Sequence, residues 1–136
     1  MKIRKRYIWL VILFIYICSV AYLCFMKPDD IPTIDPYLWG IPVDKIAHFA
    51  MFFPYPFLAY AAFQPHCRRR YVHFIVLLIV VIVGAGLAVG TEQIQGMLEY
   101  RSYDIADYMA DMIGIGSSAF IIALYVLFRK LDITNE

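Results

Sequence analysis

At 136 residues the chain has room for one domain. Hydrophobic residues make up 62% and charged residues 17%, a balance that excludes an ordinary soluble globule. The net charge of +1 says nothing about partners, so the information lies in where along the chain the charges fall.

A hydrocarbon core of about 30 Å is crossed by about twenty apolar residues in helical form. The first such run extends from Tyr7 to Met26 without a charge. Its basic prelude (Lys2, Arg4, Lys5, Arg6) also suits a signal peptide, but the run is long for that purpose and no small-x-small cleavage site follows, so a retained anchor is expected. The second run, Ile46 to Phe63, contains Pro54 and Pro56. Each removes a backbone donor, which predicts a kink or break over Phe53–Pro56 whose freed carbonyls find partners on neighbouring helices or in water. The third run extends from Val72 to Gly90 and the fourth from Met112 to Phe128, the latter with a polar helical lead-in from Asp104. Small residues at Gly84/Ala88, Gly86/Gly90 and Gly114/Ser118 predict close packing of the third span on the fourth. Cys18, Cys24 and Cys67 form neither a metal-type spacing nor a disulfide framework. The expectation is an all-α, integral-membrane four-helix bundle that forms a single domain over residues 1–136.

Basic residues in short loops set orientation. The N-terminus, the 64–71 loop and the C-terminal tail hold Lys2, Arg4, Lys5, Arg6, Arg68, Arg69, Arg70, Arg129 and Lys130, against Lys27, Lys45 and Arg101 on the opposite side. Both termini are therefore expected in the cytoplasm. Acidic residues segregate the other way, with Asp29, Asp30, Asp35, Asp44, Glu92, Glu99, Asp104, Asp107 and Asp111 at the outer end, and Asp132 and Glu136 inside. The Arg68-Arg69-Arg70 cluster reads as a topology signal or a contact for anionic lipid. It does not suggest nucleic-acid binding, and His66 and His73 beside it are expected to be solvated or interfacial.

Three polar segments enter the bilayer from the outer side. At the head of the second span, Asp44 and His48 are four apart on one helical face, with Asp44 where an N-cap belongs after Pro42 and Lys45 beside it. At the end of the third, Glu92, Gln95 and Glu99 fall at i, i+3 and i+7. Arg101 then precedes Asp104, Asp107 and Asp111, again at i, i+3 and i+7, a carboxylate stripe about 10 Å long at helical rise. Ionisable groups in a membrane are costly and normally face the bundle interior with a partner. A purely structural account makes Lys45 and Arg101 an electrostatic clasp on these carboxylates. The functional account makes Glu92, His48, Asp104, Asp107 and Asp111 the lining of a polar pocket for a headgroup, a cation or acid–base chemistry. No cofactor is predicted by a fixed-spacing motif, although the donor set suits a divalent metal. So many carboxylates in one cluster require either protons or a bound ion.

Two motifs carry a resemblance: Asp44-Lys45-x-x-His48-Phe49, and Glu92-x-x-Gln95 followed by Arg101-x-x-Asp104-x-x-Asp107-x-x-x-Asp111-x-x-Gly114. In order, spacing and membrane side they resemble the VanZ-like family of small bacterial membrane proteins, over about Val43 to Phe128. The chain departs from the family at Asp111, where asparagine is common, and at Glu99-Tyr100, where the family often has proline. The resemblance implies a bacterial cytoplasmic-membrane protein with an envelope role and an association with teicoplanin resistance. The expected partner is a membrane lipid or lipid-linked envelope precursor, and a homo-oligomer is compatible with the layout. Two further classes compete with binding: an enzyme acting on an envelope lipid or glycan headgroup through the outer carboxylates and His48, and a small carrier, for which four spans are few.

Overall fold

The computed structural model describes residues 2–27, 37–67 and 69–129, with Lys2 and Ile3 in backbone only. Asp29, Asp30, Asp35, Arg68, Lys130, Asp132 and Glu136, all used in the charge reading, lie outside the described residues. Five helices follow one another: α1 (Lys2–Phe25), α2 (Val43–Phe52), α3 (Tyr55–Phe63), α4 (Arg70–Gln95) and α5 (Ile105–Phe128). A small antiparallel hairpin, β1 (Tyr37–Leu38) and β2 (Ile41–Pro42), precedes α2. Four helical segments are long and apolar enough to cross a membrane, the second being α2 and α3 taken together. The spans alternate in direction. Lys45 at the start of α2 meets Asp104 at the head of α5, and Arg70 at the start of α4 meets the carbonyl of Arg129 just past the end of α5.

The helices differ from the expected spans mainly at polar ends. The third continues five residues past Gly90, to Gln95, because Glu92 and Gln95 turn into the bundle and need no water. The fourth is one helix from Ile105, capped by the Asp104 carboxylate on the Ala106 N–H at 2.8 Å. Asp44 is not a cap: the N-cap of α2 is Pro42, and Asp44 sits inside the first turn, where the helix dipole favours it. Glu99 lies in the turn after α4 and is exposed, so it leaves the Glu92/Gln95 face. The hairpin is not predicted from the sequence, since strands of two residues are too short to show alternation. Its turn places Trp39 (φ 53°) and Gly40 (φ 78°) in the left-handed region, as a tight two-residue hairpin demands.

The proline break falls where Pro54 and Pro56 predict it, between Phe52 and Tyr55. The freed carbonyl of Met51 accepts from the Tyr16 hydroxyl of α1. The break also admits Gly114. A Cβ there would lie 2.8 Å from the Phe49 carbonyl oxygen and 3.1 Å from the Phe53 nitrogen, so α5 meets backbone on α2. This corrects the expected pairing of Gly114 with α4. Gly84 packs against Tyr55 and Ile115, whereas Gly86, Gly90 and Gly116 face open space. Only the Gly84/Ala88 pair forms a buried small-residue strip on α4.

Three apolar layers fill the bundle. Leu13, Tyr55, Ala59, Ala62 and Val80 join α1 to α3 and α4. Tyr60, Leu77, Ile122 and Val126 join α3, α4 and α5. Phe52, Ala88 and Ile115 close the core towards the acidic end. His73, expected to be solvated or interfacial, is buried at 2% exposure. It bonds the Tyr60 hydroxyl at 2.7 Å and the Cys67 carbonyl at 2.9 Å, tying the loop to the bundle. His66 is exposed, and all three cysteines are free.

Candidate functional site

Phe52, Ala88 and Ile115 each have a polar residue one helical turn away, at His48, Glu92 and Asp111. Because α2 and α5 run away from the acidic end and α4 runs towards it, these three lie on the same side of the apolar layer. A polar layer therefore rests directly on an apolar floor. The layer is closed to solvent: Glu92 and Asp111 are 0% exposed, Gln95 2%, His48 3% and Asp107 8%.

His48 is the hub. Its Nδ1 lies 2.9 Å from Asp111 Oδ1 and 3.8 Å from Glu92 Oε1, and its Nε2 lies 3.7 Å from Asp107 Oδ2. Three helices thus converge on one imidazole. Above it, the Lys45 ammonium binds Asp44 at 2.9 Å, Asp107 at 2.6 Å, and Asp104. Burial along the α5 stripe is graded, from Asp104, 42% exposed in its side chain, through Asp107 to the enclosed Asp111. The Lys45 ammonium, together with the Ala106 N–H, holds the Asp104 carboxyl below the usual carboxylate range. Glu92 Oε2 accepts from the Asp104 N–H at 3.3 Å, while Glu92 Oε1 and Asp111 Oδ2 have no hydrogen-bond partner.

Gln95 and Arg101 do not join this net. Helix α1 ends with carbonyls that its own backbone cannot satisfy. Gln95 donates to the Cys24 carbonyl at 2.7 Å, Tyr100 to that of Phe25 at 3.1 Å, and Arg101 to that of Met26 at 3.4 Å. Three consecutive carbonyls are thus met by the end of α4 and the loop that follows. No spacing in the sequence points to Tyr100, and only the position of α1 reveals its role. Of the expected clasp, Lys45 fills its part. Arg101 makes no carboxylate ion pair among the described residues, and its Nε is buried without a partner.

Between the C-terminal half of α1 and α2 lies a cleft of about 590 Å³. Val20, Leu23 and Met51 give it an apolar wall, and Asp44, His48 and Arg101 are among its polar members. His48 is therefore shared by the cleft and the buried acidic net.

The sequence profile of the VanZ/LLP1 family matches residues 10–129. The chain is also similar to an uncharacterised protein of Schizosaccharomyces pombe. The two are 29% identical over 123 residues, which cover 90% of this chain and 66% of that one. The chain thus spans just under two thirds of the length of the curated relative it matches. No solved structure matches it.

Proposed function

The chain belongs to the VanZ/LLP1 family of multi-pass membrane proteins, and on that premise we propose that its α1–α2 cleft binds an amphiphile with an anionic headgroup, a lipid or lipid-linked envelope precursor. The observation that carries this reading is the composition of the cleft. An apolar wall within a membrane-spanning pair of helices suits a hydrocarbon chain, and the Arg101 guanidinium, with donors to spare, suits a phosphate or carboxylate. His48 and Asp44 at the same end supply polar contacts to the rest of the headgroup.

The test is native mass spectrometry of the protein purified in mild detergent, beside Ala47→Trp. Ala47 is exposed on α2 and lines the cleft, so the larger side chain fills it without entering the core. Wild type should retain an anionic amphiphile that Ala47→Trp lacks. Equal lipid on both proteins would contradict the reading.

The family resemblance adds a cellular outcome. In a sensitive Gram-positive host the wild type should raise tolerance to teicoplanin but not to vancomycin. His48→Ala and Asp107→Asn, matched for membrane level, should lose the gain. A second reading, an enzyme acting on the bound headgroup, is favoured by one feature: Asp111 Oδ1 lies 2.9 Å from Nδ1 of a buried histidine, the arrangement that orients a general base. It predicts that wild type changes the mass of the retained amphiphile over time, whereas Asp111→Asn retains it unchanged.

A further inference from the structure

The outer end carries two trios of ligand-type side chains: Asp44, Asp104 and Asp107, and deeper in, His48, Glu92 and Asp107. They differ in how their charge is met. The outer trio already surrounds a cation, since Lys45 Nζ contacts all three carboxylates. Among the described residues the inner trio touches that lysine only through Asp107 Oδ1, and no other lysine or arginine pairs with it. Among the described residues neither Glu92 nor Asp111 ion-pairs with a fixed positive charge, and both are fully enclosed. One oxygen of each, Glu92 Oε1 and Asp111 Oδ2, is buried without a hydrogen-bond partner. An unmade bond on a buried acceptor costs about 1–3 kcal/mol, and more on a charged group. A cluster with two such atoms is short of a cation.

We propose that His48, Glu92 and Asp107 hold a divalent transition-metal ion of the Zn²⁺ or Mn²⁺ class. One donor atom from each residue already lies within 4.8 Å of the other two. The mixed imidazole–carboxylate set favours these ions over Ca²⁺ or Mg²⁺, which prefer oxygen alone. Each ligand has one atom engaged and one atom left. Asp107 gives Oδ1 to Lys45 and turns Oδ2 to His48. Glu92 takes the Asp104 N–H on Oε2 and leaves Oε1 without a hydrogen bond, 3.8 Å from His48 Nδ1. His48 holds Nδ1 against Asp111, which leaves Nε2 on the Asp107 side. A carboxylate on the far nitrogen is the usual support of a metal-bound histidine, so Asp111 is a positioning residue. Three protein ligands leave coordination positions free, and His48 also borders the cleft, so an oxygen of an anionic headgroup is a suitable further ligand. The ion itself stands on the trio alone and not on what occupies the cleft.

The test uses the full chain in detergent, stripped with chelator and then titrated calorimetrically with Zn²⁺ and with Mn²⁺. Uptake of Co²⁺, followed by visible absorption, reports whether the ion enters a site containing nitrogen. The expected result is one ion per chain, with Glu92→Gln losing binding and Asp111→Asn weakening it about 10–100-fold. Ala47→Trp, which blocks the cleft, should bind the ion as wild type does, so a failed metal site and a failed cleft reading are separable. Glu92→Gln is close to isosteric, and its fold is checked by helical circular dichroism and monodispersity; Asp111→Asn and the Co²⁺ spectrum decide the matter if it misfolds. A folded wild type that takes up no ion, or folded Glu92→Gln and Asp111→Asn that bind like wild type, overturns the proposal. The inner carboxylates are then neutralised by protons.

Discussion

Lys45 and His48 divide the acidic end between them: a fixed charge above, and an imidazole enclosed by carboxylates below. Replacing Lys45 with methionine keeps the stem and strands Asp104 and Asp107 without their cation. The expected loss is roughly 2 kcal/mol, read as a lower melting temperature in detergent. The pH dependence follows from Asp104. Its carboxyl titrates below its ordinary value in the fold, so its contribution is complete above the ordinary carboxylate range and is lost as pH falls through the lower, folded value. Wild type should therefore lose melting temperature at acid pH faster than Asp104→Asn. Parallel pH curves for the two would contradict the role given to that pair. Most of this chemistry is legible in the sequence. Helical spacing places Asp104, Asp107 and Asp111 on one face, and the place of His48 near the head of the second span brings it level with them. The roles of Gln95 and Arg101 are not legible, because they act on carbonyls of α1, and no pattern in the chain says where α1 ends relative to α4.

At the scale of elements, the four spans can be read from hydropathy and the break in the second from its prolines. What packs on what cannot. Glycine spacing announces a close approach without naming the partner, and Gly114 approaches α2, not α4. Gly114→Ala should therefore cost about 1–3 kcal/mol, because the obstacle is the backbone of Phe49 and Phe53, which cannot rotate away. Gly116→Ala, in open space, should be close to neutral in the same melt. The end of the third helix lies beyond the apolar run for a physical reason. Glu92 and Gln95 look like residues that leave the membrane, yet partners inside the bundle let the helix carry them on. Gln95→Leu removes the bond to the Cys24 carbonyl, and faster proteolysis after α1 is the expected outcome.

Over the whole molecule, charge is sorted by end. Opposite the acidic layer, a cavity of about 390 Å³ is lined by Lys5, Arg6, His66 and Arg129, with the buried His73 bonded at its edge. By the positive-inside rule this end is expected in the cytoplasm and the His48 cluster outside. In a cysteine-free background, an impermeant maleimide should label a cysteine at Trp39 in intact cells, and one at His66 only after permeabilisation. The reverse pattern would place the acidic site inside. If labelling follows the expected pattern, the α1–α2 cleft, which shares His48 with the buried net, lies at the outer end of the spans.

The measurement closest to the central claim is photo-crosslinking from within the membrane. A benzophenone side chain at Ala50, which lines the cleft, is compared with one at Met109, which lies between Asp107 and Asp111 in sequence and is 57% exposed away from the cleft. If the cleft holds a particular amphiphile, Ala50 captures an anionic lipid or lipid-linked species that Met109 does not, and Ala47→Trp abolishes that adduct. The same mixture of bulk lipids at both positions would show that the cleft binds nothing in particular, and the proposed function would fall.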